Sequence, residues 1–227
     1  MRTLGLIGGM SAESTALYYA HLNRLARERL GGLHSARLVI VSIDFAPLAE
    51  MQAKGEWEAA GLMLAEEARR LQAAGAEAIL ICANTMHLVA DAVQAAVDAP
   101  VLHIADATAD RLQAVGSRRP LLLATRFTME KDFYRDRLAA RGIDAVVPEA
   151  ADRQALHAII YDELCQGLIR PPSKAAVLEM IGRARGIDGV IFGCTEIGLL
   201  ISPDELTLPV VDTTLAHAEA AMDFALG

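Results

Sequence analysis

The sequence predicts an α/β protein built from two similar half-domains, each a parallel sheet flanked by helices. Short apolar runs alternate with helical patterns along the chain, which is typical of right-handed β-α-β units. The runs are continuously apolar rather than alternating, as expected for strands covered on both faces. Two related segments, residues 78–87 and 189–197, each place a cysteine directly after such a run.

The composition indicates a globular chain with a large core and excludes several partners. Hydrophobic residues make up 53% of the 227 positions, and the formal net charge of −8 leaves no basic surface for nucleic acid. Three widely spaced cysteines without a C-x-x-C predict a reduced, cytoplasmic protein with no disulfide framework. The apolar run at the N-terminus suits a strand better than a signal peptide, and no run has the length of a membrane span.

The first half of the chain predicts strands and helices in alternation. Ser11 is expected to cap a helix that runs to about Leu30, where Gly31 and Gly32 end it. A second periodic helix runs from Trp57 to Ala74. The other predicted elements are strands at 4–8, 37–44, 78–82 and 100–104, a loop or short helix after Pro47, and helices at 85–95 and 106–115.

After a linker-like stretch at 116–120 the order of elements restarts. Residues 121–130 resemble residues 4–13 in outline, and Glu13 and Glu130 lie 117 positions apart. Cys82 and Cys194 lie 112 positions apart, so two features repeat at nearly one offset. The second half predicts helices at 129–140, 152–166 and 173–185, strands at 143–147, 189–194 and 208–212, and a last helix ending near 225.

The two cysteines are the candidate catalytic residues. Ligands of parallel α/β sheets bind beyond the carboxyl ends of the strands, where Cys82 and Cys194 both lie. Unpaired backbone amides at a following helix start favour the thiolate. If the thiols face each other across one site, one can remove a proton from a carbon and the other can return a proton to the opposite face. The pair therefore predicts two-base inversion of a stereocentre.

The alternative for each cysteine is a structural role, since a lone cysteine ending an apolar strand is more often a small buried side chain. Chemistry is favoured because hydroxyl and amide groups follow both Cys82 and Cys194, whereas Cys165 lacks such neighbours and is interpreted as structural. His87 is interpreted as a hydrogen-bonded structural histidine, and no set of metal ligands is expected. The substrate-binding candidates are Met10, Ser11, Gln52, Ala83, Asn84, Thr85, Thr125, Phe127, Thr128, Thr195 and Glu196.

The motifs at 6–15, 82–87 and 193–197 closely resemble those of the aspartate/glutamate racemase family of cofactor-independent amino-acid racemases, and the likeness covers nearly the whole chain. The resemblance implies two α/β half-domains, residues 1–104 plus 208–227 and residues 105–207. It implies an active site in the cleft between them and commonly a homodimer. It also implies that Cys82 and Cys194 act without pyridoxal phosphate or metal, Cys194 on the L-enantiomer and Cys82 on the D-enantiomer.

The resemblance is strongest to the bacterial branch with broad amino-acid specificity. Strict aspartate racemases hold the side-chain carboxylate of the substrate with basic residues. Gln52 stands in the loop where an Arg would serve this purpose, and residues 163–166 contain no Lys. A neutral amide discriminates less sharply than a bidentate Arg. We therefore expect racemisation of aspartate or glutamate, with a broader range of amino acids open.

Other activities are alternatives at this stage. Hydantoin racemase, maleate isomerase and a decarboxylase of the same superfamily are built on the same cleft, so the fold does not separate them. A dinucleotide-binding module is a remote alternative, because Asp44 comes 35 residues after Gly9 rather than about 20 and the glycines do not fit G-x-G-x-x-G. A non-catalytic thiol sensor leaves the hydroxyl groups beside the cysteines unexplained.

Overall fold

A computed structural model describes residues 1–227, and the chain forms two compact units, Met1–Ile104 with His217–Gly227 and Ala105–Ala216. Each unit holds a three-stranded parallel sheet flanked by helices, which confirms the predicted α/β class. The unit boundary differs from the prediction at residues 208–216. β6 (Val210–Asp212) pairs in parallel with β5 (Gly189–Phe192), so this strand belongs to the second unit.

The first sheet has the order β2-β1-β3, with β1 (Leu4–Gly8) between β2 (Leu38–Ser42) and β3 (Ala78–Ile81). The predicted strand at 100–104 is only a parallel bridge between Ile79 and Val101, because a helix already begins at Ile104. The helices up to that point are α1 (Ala12–Leu30), α2 (Phe45–Lys54), α3 (Trp57–Ala73), a 3₁₀ helix (Thr85–Val89), α4 (Ala90–Gln94) and α5 (Ile104–Ala114).

Two predicted polar residues form helix caps in this unit. The Ser11 hydroxyl accepts a hydrogen bond from the Ser14 amide at 3.2 Å and caps α1, as the sequence predicts. The Asp44 carboxylate accepts from the Ala46 amide at 3.2 Å and caps α2. The acid that the dinucleotide alternative assigns to a ribose therefore starts a helix in this structure.

The side chains of β3 alternate between two apolar clusters, one on each face of the sheet. Ile79 and Ile81 pack with residues of α3 and α4 on one face. Leu80 and Cys82 lie on the opposite face, in a cluster that includes α1 and the C-terminal helix α11 (Thr213–Leu226). The pleat of β3 thus directs the Cys82 side chain toward α1 and α11.

The second sheet repeats the strand order of the first. β4 (Pro120–Leu123) pairs with β5, and the predicted strand at 143–147 is a single parallel bridge from Leu121 to Val146. Counting the two bridges, both sheets run second, first, third, fourth in chain order, so β3 and β5 occupy equivalent positions. The predicted repeat is therefore present in the topology, and a cysteine follows the third strand of each unit.

One predicted helix of the second unit is divided in the structure. The expected helix at 129–140 is divided, because Lys131 adopts extended backbone angles between the two segments. No helix of the protein has both the length and the apolar character that crossing a membrane requires. The helices between β4 and β6 are α6 (Arg126–Glu130), α7 (Asp132–Ala139), α8 (Ala150–Asp162), α9 (Pro171–Arg183) and α10 (Ile197–Leu200), with 3₁₀ helices at Leu164–Gln166 and Pro203–Glu205.

Glycines allow a close approach of the backbone beside two strand ends. Gly9, which follows β1, has a φ of 88°, and a Cβ built there would lie 2.2 Å from the carbonyl oxygen of Ile43. Gly193 follows β5, and a Cβ there would lie 2.7 Å from a methyl carbon of Leu122. The absence of a side chain at Gly193 therefore allows the backbone that leads into Cys194 to pack closely against β4.

Candidate active site

Cys82 lies in the turn that follows β3, and its backbone is held on both sides. Its amide donates to the Ile7 carbonyl at 3.0 Å, and its carbonyl accepts from the Ser14 hydroxyl of α1 at 2.9 Å. The side chain is 0% exposed and packs in the apolar cluster with Leu80 and Leu6. Burial raises the pKa of the Cys82 thiol, so this cysteine is neutral in the structure at ordinary pH.

His87 fixes the next residue of the same turn. Its Nδ1 lies 2.9 Å from the Ala83 carbonyl oxygen, and its Nε2 lies 3.2 Å from the Ile104 amide nitrogen. Because a carbonyl only accepts and an amide only donates, Nδ1 carries the proton and Nε2 accepts. Both ring nitrogens are therefore committed to the backbone, which agrees with the structural role predicted for this histidine.

Two further histidines pack against His87 in the first unit. His217 Nε2 donates to the Leu102 carbonyl at 2.7 Å, so its Nδ1 accepts from the Tyr18 hydroxyl at 2.8 Å. The ring centroids of His87 and His103 are 4.6 Å apart, and those of His87 and His217 are 5.6 Å apart. Burial lowers the pKa of His217 to about 4 and, together with the nearby histidines, lowers the pKa of His87. No group of three or more His, Cys, Asp or Glu side chains is arranged to hold a metal ion.

The histidine cluster predicts a loss of stability in mild acid. The folded-state pKa values of His87 and His217 lie below the unfolded value of about 6.5, so the unfolded chain takes up protons that the folded chain cannot. The free energy of unfolding is therefore unaffected by these groups above that value and falls as the pH is lowered toward the folded-state pKa. For His217 alone we expect a loss of about 2 kcal/mol between about pH 7 and pH 5, measured by urea unfolding.

Two variants separate this effect from general acid denaturation. His217→Gln should have a flatter dependence of the unfolding free energy on pH over the same range, because the titrating group is gone. His34→Gln, which replaces an exposed histidine, should keep the dependence of the unchanged protein. Equal slopes for His217→Gln and the unchanged protein would contradict the assignment.

The polar candidates of the first unit are buried around the same strand end. The Nε2 of Gln52, on α2, lies 3.0 Å from the Sδ of Met86, so this helix reaches the segment that follows Cys82. Asn84 and Thr85 are buried where the 3₁₀ helix begins. Among the other candidates, Ser11 caps α1, Met10 packs in the apolar cluster with Leu48, and Ala83 presents its carbonyl to His87.

Cys194 lies beside a buried carboxylate in the second unit. Its sulfur is 3.0 Å from Oε2 of Glu196, and the Thr195 hydroxyl donates to the same oxygen. The other oxygen, Oε1, accepts from the Cys165 thiol at 3.8 Å. Glu196 is only 2% exposed, so its charge is held by hydrogen-bond donors rather than by water. A residue predicted to bind substrate thus contacts the predicted catalytic thiol.

The predicted thiolates differ from the protonation states that the structure favours. Burial, followed by the negative charge of Glu196, raises the pKa of Cys194, and burial raises the pKa of Cys82. The helical segments that follow the cysteines are a five-residue 3₁₀ helix and the four-residue α10, which offer a small dipole. Both cysteines are therefore thiols in the substrate-free protein, because desolvation outweighs the helix-start amides.

The remaining candidates of the second unit follow β4. Thr125 caps α6, and its hydroxyl lies 3.3 Å from that of Thr128. The Gly193 amide donates to the Leu123 carbonyl at 2.7 Å, so the residues after β4 lie beside those after β5. Phe127 is half-buried and packs edge-on against His157 with centroids 5.5 Å apart, which is a packing role not expected from the sequence.

Three residues near the thiols have no recognisable signal in the sequence. Ser14 supports the Cys82 turn, Cys165 reaches Glu196 from the 3₁₀ helix after α8, and Tyr161 ends near the same carboxylate. Burial raises the pKa of Tyr161, and the nearby carboxylate of Glu196 raises it further. Each lies dozens of positions from its cysteine or carboxylate, so only the packing of the helices onto the sheet brings them together.

The fold and the two cysteines define the class of protein: an α/β chain of two topologically equivalent units, each with a thiol at the end of its third strand. Residues 7–221 match the Asp/Glu/Hydantoin racemase family, and the chain belongs to this family. The predicted family is thus confirmed, and the protein is an isomerase of the racemase type.

Solved structures support this placement. A proposed Asp/Glu racemase from Yersinia pestis is 49% identical, with a TM-score of 0.91 and full coverage of both chains. An aspartate racemase homologue from Pyrococcus horikoshii is 36% identical, with a TM-score of 0.86 and full coverage of both chains. An aspartate racemase from Picrophilus torridus, at 22% identity, shares the fold with a TM-score of 0.79 over 99% of this chain and 94% of its own.

Proposed function

We propose that the protein interconverts the L- and D-enantiomers of amino acids, aspartate and glutamate first among them, without a cofactor. The observation that carries the proposal is the cysteine after the third strand of each unit, Cys82 and Cys194. Repetition of a thiol at equivalent positions suits a reaction that needs an acid on one face of a carbon and a base on the other. The names of the relatives from Yersinia and Pyrococcus support the same substrates.

The proposed reaction begins at Cys194, the thiol with a carboxylate beside it. Cys194 transfers its proton to Glu196, and the resulting thiolate removes the α-proton of the L-enantiomer. Cys82, still a thiol, then donates its proton to the opposite face of the carbanion and gives the D-enantiomer. The substrate loses one proton and gains one, and Glu196 keeps its proton through the cycle. The reverse reaction starts from the Cys82 thiolate that the forward reaction leaves.

The carbanion needs stabilisation as well as a base, because the α-proton of an amino acid is weakly acidic. We assign this task to donors that are buried near the strand ends, Asn84 and Thr85 in one unit and Thr125 and Thr128 in the other. Hydrogen bonds to the substrate carboxylate strengthen as negative charge develops on its oxygens. A buried donor stabilises the carbanion more than an exposed donor does, because little water competes for the same hydrogen bond.

Access to Cys82 imposes a condition on this mechanism. Its side chain is 0% exposed and that of Cys194 is 8% exposed in the substrate-free protein. An amino acid therefore reaches the Cys82 sulfur only after neighbouring groups move, and closure around the substrate would keep the carbanion from water. The α-ammonium group of the substrate brings a positive charge that favours ionisation of a nearby thiol, which offsets the desolvation of the thiolate.

The range of substrates follows from the groups available to the substrate side chain. Gln52 offers a neutral amide to the substrate side chain. Glu196 already accepts hydrogen bonds from Cys194, Thr195 and Cys165, and as an acid it would repel a second carboxylate on the substrate. A neutral amide in place of a bidentate Arg accepts aspartate, glutamate and neutral side chains with modest discrimination. We therefore propose broad specificity, with Gln52 as the contact to the side chain.

Proton exchange in D₂O tests the function directly. Each enantiomer of aspartate, glutamate and several neutral amino acids is incubated with the protein without added cofactor, then followed by NMR and chiral chromatography. We expect the α-proton to be replaced by deuterium as the opposite enantiomer appears. Amino acids that keep both their α-proton and their configuration would contradict the proposal.

The same assay addresses the alternatives, since hydantoin racemases belong to the same family by name. Hydantoins, maleate and arylmalonates are tested in parallel with the amino acids, because all these reactions form or trap negative charge on a carbon. Turnover of one of these compounds, with no turnover of amino acids, would assign the protein a different activity of the same family. The homodimer and the cytoplasmic location stay predictions.

A further inference from the structure

The buried carboxylate of Glu196 has one oxygen that the proposed reaction leaves unexplained. Oε2 faces the Cys194 thiol and the Thr195 hydroxyl, both of which come from adjacent residues. Oε1 faces Cys165, which comes from a different part of the chain and lies 3.8 Å away through its sulfur. A carboxylate held from two directions is fixed in orientation, whereas one held through a single oxygen is not.

We propose that Cys165 is a positioning residue for the reaction at Cys194, acting through Glu196. The inference rests on the proposed function, because it assigns to Glu196 the task of accepting the Cys194 proton. The Cys165 thiol donates to Oε1, keeps Oε2 directed at the Cys194 sulfur, and takes no part in bond making at the substrate.

The need for such a residue follows from the side-chain torsions of glutamate. The terminal torsion of a Glu side chain is broad, so hydrogen bonds rather than intrinsic preference set the orientation of the carboxylate plane. Thr195 lies next to Glu196 in sequence and moves with it, so it cannot anchor the carboxylate independently. Cys165 can, since it belongs to another element of the unit.

The backbone around Cys165 is well suited to hold a side chain in place. It lies in the 3₁₀ helix Leu164–Gln166, which ends at Gly167 with a φ of 71°. Leu164 is buried, and the Gly167 amide donates to its carbonyl at 3.0 Å. The Leu168 amide donates to the Glu163 carbonyl at 2.9 Å, so the whole turn is closed by backbone hydrogen bonds.

The side chains around Glu196 are placed to donate to its carboxylate. Titratable side chains near this carboxylate include Cys194, Cys165 and Tyr161. Burial raises the pKa of Cys194 and the pKa of Tyr161, so both side chains keep their protons at neutral pH and can serve as donors.

A purely structural Cys165 makes a different prediction from a positioning one. A cysteine that only packs behaves as a small apolar side chain, so alanine should replace it better than serine. A cysteine that donates a hydrogen bond is replaced better by serine, whose hydroxyl is the stronger donor and lacks an ionisable thiol. The rank order of Cys165→Ala and Cys165→Ser therefore separates the two roles.

Steady-state racemisation provides the first measurement. We expect Cys165→Ala to lower kcat by about fivefold to twentyfold with little change in KM, because a donor to a charged group is lost while the substrate contacts stay. The acidic limb of the pH profile of kcat should move to higher pH by about half a unit to one unit. Cys165→Ser should restore both quantities. A Cys165→Ala variant as active as the Cys165→Ser variant would overturn the inference.

A second measurement does not depend on racemase activity. Iodoacetamide alkylation of Cys194 is followed against pH by mass spectrometry of its peptide, in the unchanged protein and in both variants. Without the Cys165 donor, Oε2 is no longer held toward the Cys194 sulfur and takes its proton less readily, so alkylation should shift to higher pH in Cys165→Ala and return in Cys165→Ser. Superimposable profiles would overturn the inference even in an active racemase.

The two measurements together distinguish a failed inference from a failed function. If alkylation shifts as expected while no amino acid is racemised, the Cys165 assignment stands and the substrate class is wrong. Thermal unfolding verifies that each variant is folded, and Cys165→Val, which keeps the bulk without a donor, replaces the alanine variant if alanine does not fold.

Discussion

Racemisation is expected to disappear when either Cys82 or Cys194 is replaced by serine. A serine hydroxyl is too weak an acid to form a base near neutral pH, so each variant loses one of the two proton-transfer groups. We expect kcat to fall by about a thousandfold or more in each case. Because the equilibrium constant between enantiomers is one, kcat/KM must fall equally in both directions.

Isotope exchange shows what the remaining cysteine still does. Cys82→Ser keeps Cys194, so the L-enantiomer should still exchange its α-proton with D₂O, slowly and without inversion. Cys194→Ser should reverse this preference and exchange the D-enantiomer. The double variant should exchange neither, and thermal unfolding near that of the unchanged protein would show that the fold is kept. Full racemase activity in either single variant would refute the two-base mechanism.

The topology could be predicted from the sequence because its signals are local. Continuous apolar runs before Cys82 and Cys194 mark buried parallel strands, and the caps at Ser11 and Thr125 mark helix starts. The boundary at residues 208–216 could not be predicted in this way. The position of this boundary depends on which of the two sheets β6 joins. A strand of three residues contains too little sequence to indicate the strand with which it pairs.

The environment of the thiols was less predictable than their positions. A cysteine before a helical pattern predicts a thiolate only if the helix is long and the sulfur is near water, and neither holds here. The burial of Cys82 could not be predicted from the sequence, because α1 and α11 cover the face of β3 on which Cys82 lies. The position of Cys165 beside Glu196 likewise depends on the turn that follows α8.

The unequal surroundings of the two thiols have a mechanistic consequence. Cys194 has a carboxylate at 3.0 Å to take its proton, while Cys82 is enclosed by apolar side chains. In the proposed mechanism the reaction therefore begins with proton transfer from Cys194 to Glu196, and Cys82 starts as the acid. This order agrees with the implied action of Cys194 on the L-enantiomer, although either enantiomer is turned over once the cycle is running.

Glu196→Gln tests this order by removing basicity while keeping shape. The amide oxygen of glutamine can still accept a hydrogen bond from the Cys194 thiol, but it cannot take the proton at any pH of interest. We expect kcat to fall by about 10² to 10³ in both directions, the usual contribution of a general base. KM should change little, because in the proposed mechanism Glu196 contacts a thiol and not the substrate.

The size of the KM change decides between two roles for this residue. A Glu196 that binds the substrate, as its place in the sequence motif suggests, would raise KM on substitution and leave kcat nearly unchanged. A Glu196 that stores the Cys194 proton does the opposite, so that substitution lowers kcat and leaves KM nearly unchanged. Glu149→Gln, at an exposed position of the same unit, is the matched control and should leave kcat and KM unchanged.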